Sequence, residues 1–186
     1  MVSFKELYNI LPIRYNNREL DVINTNNLND YIEIITSDFY NEFLDYDFRK
    51  DINKKILYKA LDNSVKLYKI KSDNVIDIRM LLKDTDTHKI VGGCSVIRKD
   101  KTSGILELAY FILPVYQGHN EAFKMLSKLL EVLEESSIDF KYTSAVVQDI
   151  NVRSINLLEK LDFYVCDNIK GRHTLNKVYY RERKWD

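Results

Sequence analysis

The chain has 186 residues, and its 28 Lys plus Arg balance 28 Asp plus Glu, so the formal net charge is zero. That balance excludes bulk attraction to nucleic acid or to an anionic membrane, and a 45% hydrophobic share excludes a disordered chain. With 5 Gly and 2 Pro, collagen-like and Pro-rich sequences are excluded too.

The length suits one domain, residues 1–186, with a sizeable core. Cys94 and Cys166 are far apart and form no disulfide framework or metal-like spacing, so reduced thiols are expected. No basic segment followed by an apolar run opens the sequence, and no stretch approaches the ~18 apolar residues of a membrane span. The expectation is a cytoplasmic protein without a membrane partner.

Taken in chain order, Glu19 to Ile23 reads as a short strand, and Asn24 to Asn27 as a turn with helix caps. Leu28, Tyr31, Ile32, Ile35 and Phe39 follow at helical spacing; Ile52, Ile56, Leu57, Ala60 and Leu61 define a second amphipathic helix. Three strands come next. Asn74 to Leu82 places Ile76, Ile78, Met80 and Leu82 on one face, and Lys89 to Arg98 contains Gly92-Gly93, a kink or bulge signal. Ile105 to Leu113 is apolar on both faces apart from Glu107, which predicts a strand covered on both sides.

A helix then carries Ala122, Met125, Leu126, Leu129, Leu130 and Leu133. Tyr142 to Gln148 is a strand, Asn151 to Leu161 a short helix, and Phe163 to Asp167 and Leu175 to Arg181 are closing strands. The order is βααβββαβαββ, an α/β fold with a mixed sheet.

The chemically informative stretch runs from Glu107 to Ala122. A strand ends, a loop turns at Gln117 to Asn120, and a helix starts at once. Its first amides have no intrahelical partners, and the helix dipole adds partial positive charge, so this turn can hold a phosphate.

Pro114-Val115-Tyr116-Gln117-Gly118-His119-Asn120-Glu121-Ala122 resembles the cofactor loop of the GNAT superfamily of N-acetyltransferases, Gln/Arg-x-x-Gly-x-Gly/Ala. Asn151-Val-Arg-Ser154-Ile-Asn-Leu-Leu158-Glu-Lys-Leu-Asp162-Phe163 is similar to a second stretch of that family, Asn-x-x-Ser-x-x-Leu-x-Glu-Lys-Leu-Gly-Phe. The first stretch looks most like the branch that includes ribosomal-protein N-terminal acetyltransferases.

The resemblance implies a GNAT fold from Glu19 to Arg183, with the sheet splayed between the fourth and fifth of these strands. It implies acetyl-coenzyme A as cosubstrate and a primary amine as acceptor. The pyrophosphate would lie on the backbone of Gln117, Gly118, His119, Asn120, Glu121 and Ala122. The pantetheine arm would bond to edge groups near Phe111, Ile112 and Leu113, with Asn151 touching it. Asn120 and Asp162 stand where the family has glycine; both residue types tolerate left-handed backbone.

Family members often carry a catalytic Glu on the strand of Glu107. Strand alternation sets it on one face with Ile105, Ala109 and Phe111, an apolar setting suited to a general base. The family's usual acid, a Tyr four residues after the matching Ser, is replaced by Leu158. Ser154, Tyr164 and Tyr116 are the candidates in its place, although Ser154 also suits a helix cap. A fold that has lost acetyl transfer and serves as a coenzyme-A-binding or interaction module is the alternative.

His88, His119 and His173 are dispersed and give no zinc spacing. Cys94 reads as a small core residue. The tail from Tyr179 to Asp186 reads as an edge strand with solvated charges, with no nucleic-acid partner. A monomer or homodimer is expected.

Overall fold

The computed structural model describes residues 3–42, 51–99, 102–170 and 175–184, with side chains from residue 54 onward in the helix that begins at Asp51. His173, Trp185 and Asp186 lie outside the described residues, as do Asp100 and Lys101 between the predicted strands Lys89 to Arg98 and Ile105 to Leu113.

Helix α1 (Lys5–Ile10) and strand β1 (Ile13–Tyr15) open the chain, and neither is evident from periodicity. Strand β2 (Arg18–Val22) follows, then α2 (Leu28–Ile35), α3 (Asp38–Asn41) and α4 (Asp51–Lys69). Strands β3 (Asp77–Asp84), β4 (Ile90–Arg98) and β5 (Ile105–Ile112) lead through a 3-10 turn at Pro114–Tyr116 into α5 (Glu121–Glu135). Strand β6 (Tyr142–Gln148), α6 (Val152–Lys160), β7 (Tyr164–Lys170) and β8 (Leu175–Glu182) complete the order.

The strands form one sheet in the order β1-β2-β3-β4-β5-β6-β8-β7. Every pairing is antiparallel except β5 with β6. The fold is therefore the expected mixed α/β arrangement. Its one parallel junction is the consequence of the α5 crossover between β5 and β6.

Several expectations need correction. The single predicted helix from Leu28 to Phe39 is two helices: the Thr36 hydroxyl donates to the Ile32 carbonyl at 2.7 Å and ends α2. In α4, the buried stripe is Leu57, Leu61, Val65 and Tyr68, while Ile56 is 64% exposed. Ile76 precedes β3 and is exposed, so it does not share the buried face of Ile78, Met80 and Leu82.

Strand β8 is not an edge strand: it lies between β6 and β7. Nor are all of the tail's charges solvated. The Arg181 guanidinium is buried and pairs with Glu134, and Arg183 donates to the carbonyls of Ile138, Glu134 and Ser136.

The core lies on the sheet faces beneath the helices. Met125, Leu126, Leu129 and Leu133 of α5 are fully buried, and they pack in one cluster with Leu106, Leu108 and Ile112 of β5. The odd-numbered face of β5 is less covered than expected: Ala109 is exposed, and Glu107 and Phe111 are half-buried. That face is open because it lines a cleft. Gly93 of β4 lies against it; a Cβ there would lie 2.5 Å from the Met80 carbonyl oxygen and 2.9 Å from the Phe111 ring, whereas one on Gly92 would meet the Ile112 side chain. The register irregularity near these glycines falls at Leu82/Lys83 on β3. Cys94 is buried and Cys166 exposed.

Candidate active site

The β5–β6 ladder has only three residue pairs, Ile105 with Tyr142, Leu106 with Thr143 and Glu107 with Ser144. Beyond Glu107 the strands part, and a cleft of about 990 Å³ opens between them, bounded by α3, the loop before α5 and the start of α6.

Antiparallel alternation fixes which edge groups face this opening. The Leu113 N–H donates to the Val91 carbonyl at 2.9 Å. With Gly92 opposite Ile112 and Gly93 opposite Phe111, the odd residues of β5 turn their N–H and C=O groups to β4, and Tyr110 and Ile112 turn theirs to the gap. Among Phe111, Ile112 and Leu113, only Ile112 thus offers backbone groups there, and its carbonyl accepts from the Gln117 side-chain amide at 3.1 Å. Phe111 contributes its ring to the cleft and packs edge-on against Tyr40, with centroids 5.3 Å apart. On the opposite strand, the Arg183 N–H donates to the Lys141 carbonyl, so by the same alternation Val146 faces the gap.

The loop after β5 leads into α5 with unsatisfied donors. The Gln117 N–H is used by the Pro114 carbonyl at 3.2 Å, and the first bond into α5 runs from the Lys124 N–H to the Asn120 carbonyl. The amides of Gly118, His119, Asn120, Glu121 and Ala122 have no backbone acceptor among the described residues. Gly118 has φ +83°, and a Cβ there would meet nothing within 4 Å. Asn120 takes φ +59° and Asp162 φ +64°, so each substituted glycine position keeps left-handed backbone. The Gln117 side chain also accepts from Arg153 of α6 at 2.9 Å, tying the loop to that helix.

Glu107 lines the cleft where the strands part. It is not isolated among apolar groups as expected: Lys99 Nζ lies 2.7 Å from its Oε2. Ser154 also lines the cleft but does not cap α6; Asn151 does, its side chain accepting the Ser154 N–H at 3.2 Å. Tyr116 reaches the cleft, whereas Tyr164 lies exposed on β7 outside it. Leu158 is fully buried.

Sequence reasoning missed Tyr110. Its phenol lies beside Ser154, and burial pushes it up to about 12 against a smaller opposing effect of the Ser154 hydroxyl. Phe39, Tyr40 and Glu42, also unassigned from the sequence, line the cleft from the side of α3. No signal in the sequence separates these aromatics from core residues. Among the described residues, no group of three or more His, Cys, Asp or Glu could hold a metal ion, and no helix is long and apolar enough to cross a membrane.

A parted parallel strand pair facing a donor-rich helix start is the arrangement that the resemblance to the GNAT superfamily implied. The family model of the acetyltransferase (GNAT) domain matches residues 26–164, and the chain belongs to that family. It is an acetyl-coenzyme-A-dependent N-acetyltransferase.

Among solved structures, the chain is similar to the ribosomal L7/L12 alpha-N-protein acetyltransferase RimL in complex with coenzyme A, with TM-score 0.77 and 12% identity over 95% of this chain and 99% of that one. It is also similar to the spermidine N-acetyltransferase of Vibrio cholerae in complex with coenzyme A and spermine (TM-score 0.71, 15% identity, 90% and 96% covered). A third is the ribosomal-protein-S5-alanine acetyltransferase of Vibrio fischeri (TM-score 0.70, 13% identity, 93% and 97% covered). No curated protein matches the chain.

Proposed function

We propose that the chain, acting as one domain, transfers an acetyl group from acetyl-coenzyme A directly to a primary amine. The observation that carries this reading is the end of β5–β6 pairing at Glu107 and Ser144, beside a helix start whose amides are free. The residues fit the cosubstrate. The amides from Gly118 to Ala122 are donors for its pyrophosphate. The edge groups of Ile112 and Val146 can bond its amide-bearing arm as they would an added strand. Asn151 has its oxygen committed to the α6 cap, so only its side-chain N–H groups remain for the arm.

When bound, acetyl-coenzyme A supplies a thioester-activated acetyl group. The chain's own residues manage the protons and the charge. An alkyl ammonium holds its proton to about pH 10 and must lose it to attack. Glu107 is the carboxylate placed to take that proton, directly or through water. The Ile112 N–H is the preorganised donor for charge developing on the carbonyl oxygen. Ser154, with the Tyr110 phenol beside it, is the proton source for the leaving thiolate; a phenol pushed to about 12 remains protonated at neutral pH.

The interaction-module alternative rests on Asn120, Asp162 and Leu158. The left-handed backbone at the first two absorbs those departures, and Leu158 alone removes a familiar acid.

Calorimetric titration with acetyl-coenzyme A, followed by thiol release over an amine panel, tests the reading. Polyamines and peptides with free N-termini head the panel, since relatives of this fold are named for them. Binding with amine-dependent thiol release is expected. No binding at millimolar cosubstrate sinks the proposal; binding without release to any amine moves it to the interaction module.

A further inference from the structure

Glu121 is the first residue of α5, and it brings a carboxylate into the loop assigned above to the pyrophosphate. Helix dipoles favour a carboxylate at this position for the reason they favour a phosphate, so an unrestrained Glu121 side chain competes for the same field. In the structure Glu121 is buried, with 7% exposure. Arg18 of β2 holds it there: Nε donates to Oε2 at 2.9 Å and a terminal nitrogen to Oε1 at 3.3 Å.

The guanidinium is itself fixed from the other side by Asp84, at the end of β3, at 2.5 Å. Asp84 in turn accepts from the Asp86 and Thr87 amides of the hairpin turn. Lys124 stands 3.6 Å from Glu121 on the solvent side. The Tyr15 phenol packs nearby and is pushed up by its burial first and by Glu121 second.

We propose that Arg18 is a positioning residue for coenzyme A. By pairing with Glu121 it cancels the negative charge inside the pyrophosphate loop and fastens the first turn of α5 to β2. This rests on the loop being the pyrophosphate site. Arg18 touches neither the arm nor the acceptor wall in this reading, so its effect belongs to the phosphates alone.

The test compares the wild type, Arg18→Gln and the double variant Arg18→Gln/Glu121→Gln, each checked for a folded thermal transition. Affinity is measured by calorimetry for coenzyme A and for acetyl-pantetheine, which lacks the pyrophosphate. Arg18→Gln is expected to weaken coenzyme A about tenfold at low salt, with the loss shrinking at about 300 mM salt as screening sets in. Acetyl-pantetheine affinity stays unchanged, and the double variant returns to within about threefold of the wild type.

A wild type that fails to bind coenzyme A overturns the loop assignment itself, and this proposal with it. A wild type that binds while Arg18→Gln matches it overturns only the role of Arg18. Equal losses for both ligands, without rescue in the double variant, show a merely structural residue and also overturn it. Should Arg18→Gln not fold, Glu121→Gln alone decides: with one negative charge removed beside the loop and Arg18 still paired with Asp84, coenzyme A binds several-fold tighter at low salt, and unchanged or weaker binding overturns the proposal.

Discussion

Lys99 and Glu107 meet at the point where β5 leaves β6, with the ammonium nitrogen 2.7 Å from the carboxylate oxygen. The lysine is 45% exposed and the glutamate 20%. A pair this open to water is worth about 0–1 kcal/mol, so an arriving ammonium can displace Lys99. Under the proposed reading, Lys99 competes with an amine acceptor for the Glu107 carboxylate. Lys99→Met is expected to lower the acceptor KM about two- to fivefold and leave coenzyme A affinity unchanged. Steady-state kinetics on a responsive amine check this.

Glu107→Gln separates the proton from the fold. The amide keeps the size of the side chain but cannot accept the ammonium proton. Turnover should fall by roughly 10²–10⁴-fold while coenzyme A affinity holds. Wild-type turnover by this variant across about pH 6–9 would assign the base to another group or to water.

Asn120 is the backbone test of the loop. At φ +59° the Cβ crowds its own backbone, which Asn tolerates better than Ala and which Gly avoids. Asn120→Ala should cost about 1–2 kcal/mol in denaturant melts and weaken coenzyme A, whereas Asn120→Gly should retain both within experimental error. Equal stability of the Ala and Gly variants would show that the turn readily adopts another conformation.

Gly93 lies against the cleft floor. A methyl group there would press on the Met80 carbonyl and on the Phe111 ring, which is itself packed on Tyr40. Gly93→Ala should destabilise the protein by about 1–3 kcal/mol and raise the acceptor KM as Phe111 moves. Thermal melts and kinetics read the two effects separately.

Asp73 gives stability a pH dependence. Burial opposes its charge, but the Phe4 N–H at 2.6 Å and the Arg98 guanidinium outweigh that and hold the carboxyl below its usual 3.8. A depressed folded pKa stabilises the native state above the unfolded value, and that contribution disappears as pH falls through the folded pKa. The stability gap between wild type and Asp73→Asn should be full near pH 7 and shrink as pH falls below the usual 3.8. A constant gap over that range would mean the ionised form is not what matters.

Much of the fold was legible because its signals are local. The α5 stripe needs only the 3.6-residue period, β3 only alternation, and β5 only a short apolar run between turns. The loop before α5 was singled out through its resemblance to the GNAT cofactor loop. What stayed hidden depends on distant partners. Nothing in the sequence near Glu107 announces Lys99, and nothing near Glu121 announces Arg18. Strand β1 has three residues, too few for any period to register. Arg181 and Arg183 look solvated in a charged tail because the Glu134 carboxylate and the α5 C-terminal carbonyls that bury them lie about 50 positions upstream. Tyr110 sits in an apolar strand and reads as core; its site beside Ser154 exists only once α6 folds back across the end of β6.

The three-pair junction of β5 and β6 makes the sheet two plates sharing a short seam, five strands on one side and three on the other. A molecule lodged between the plates acts as mortar. It would tie strand edges that the protein leaves untied, and its concentration would become part of the protein's measured stability. At about a hundredfold excess over Kd, a single bound ligand adds about 2.7 kcal/mol. Melting temperature should climb with acetyl-coenzyme A, and hydrogen exchange should slow most at Ile112 and Val146, where the plates now stand apart.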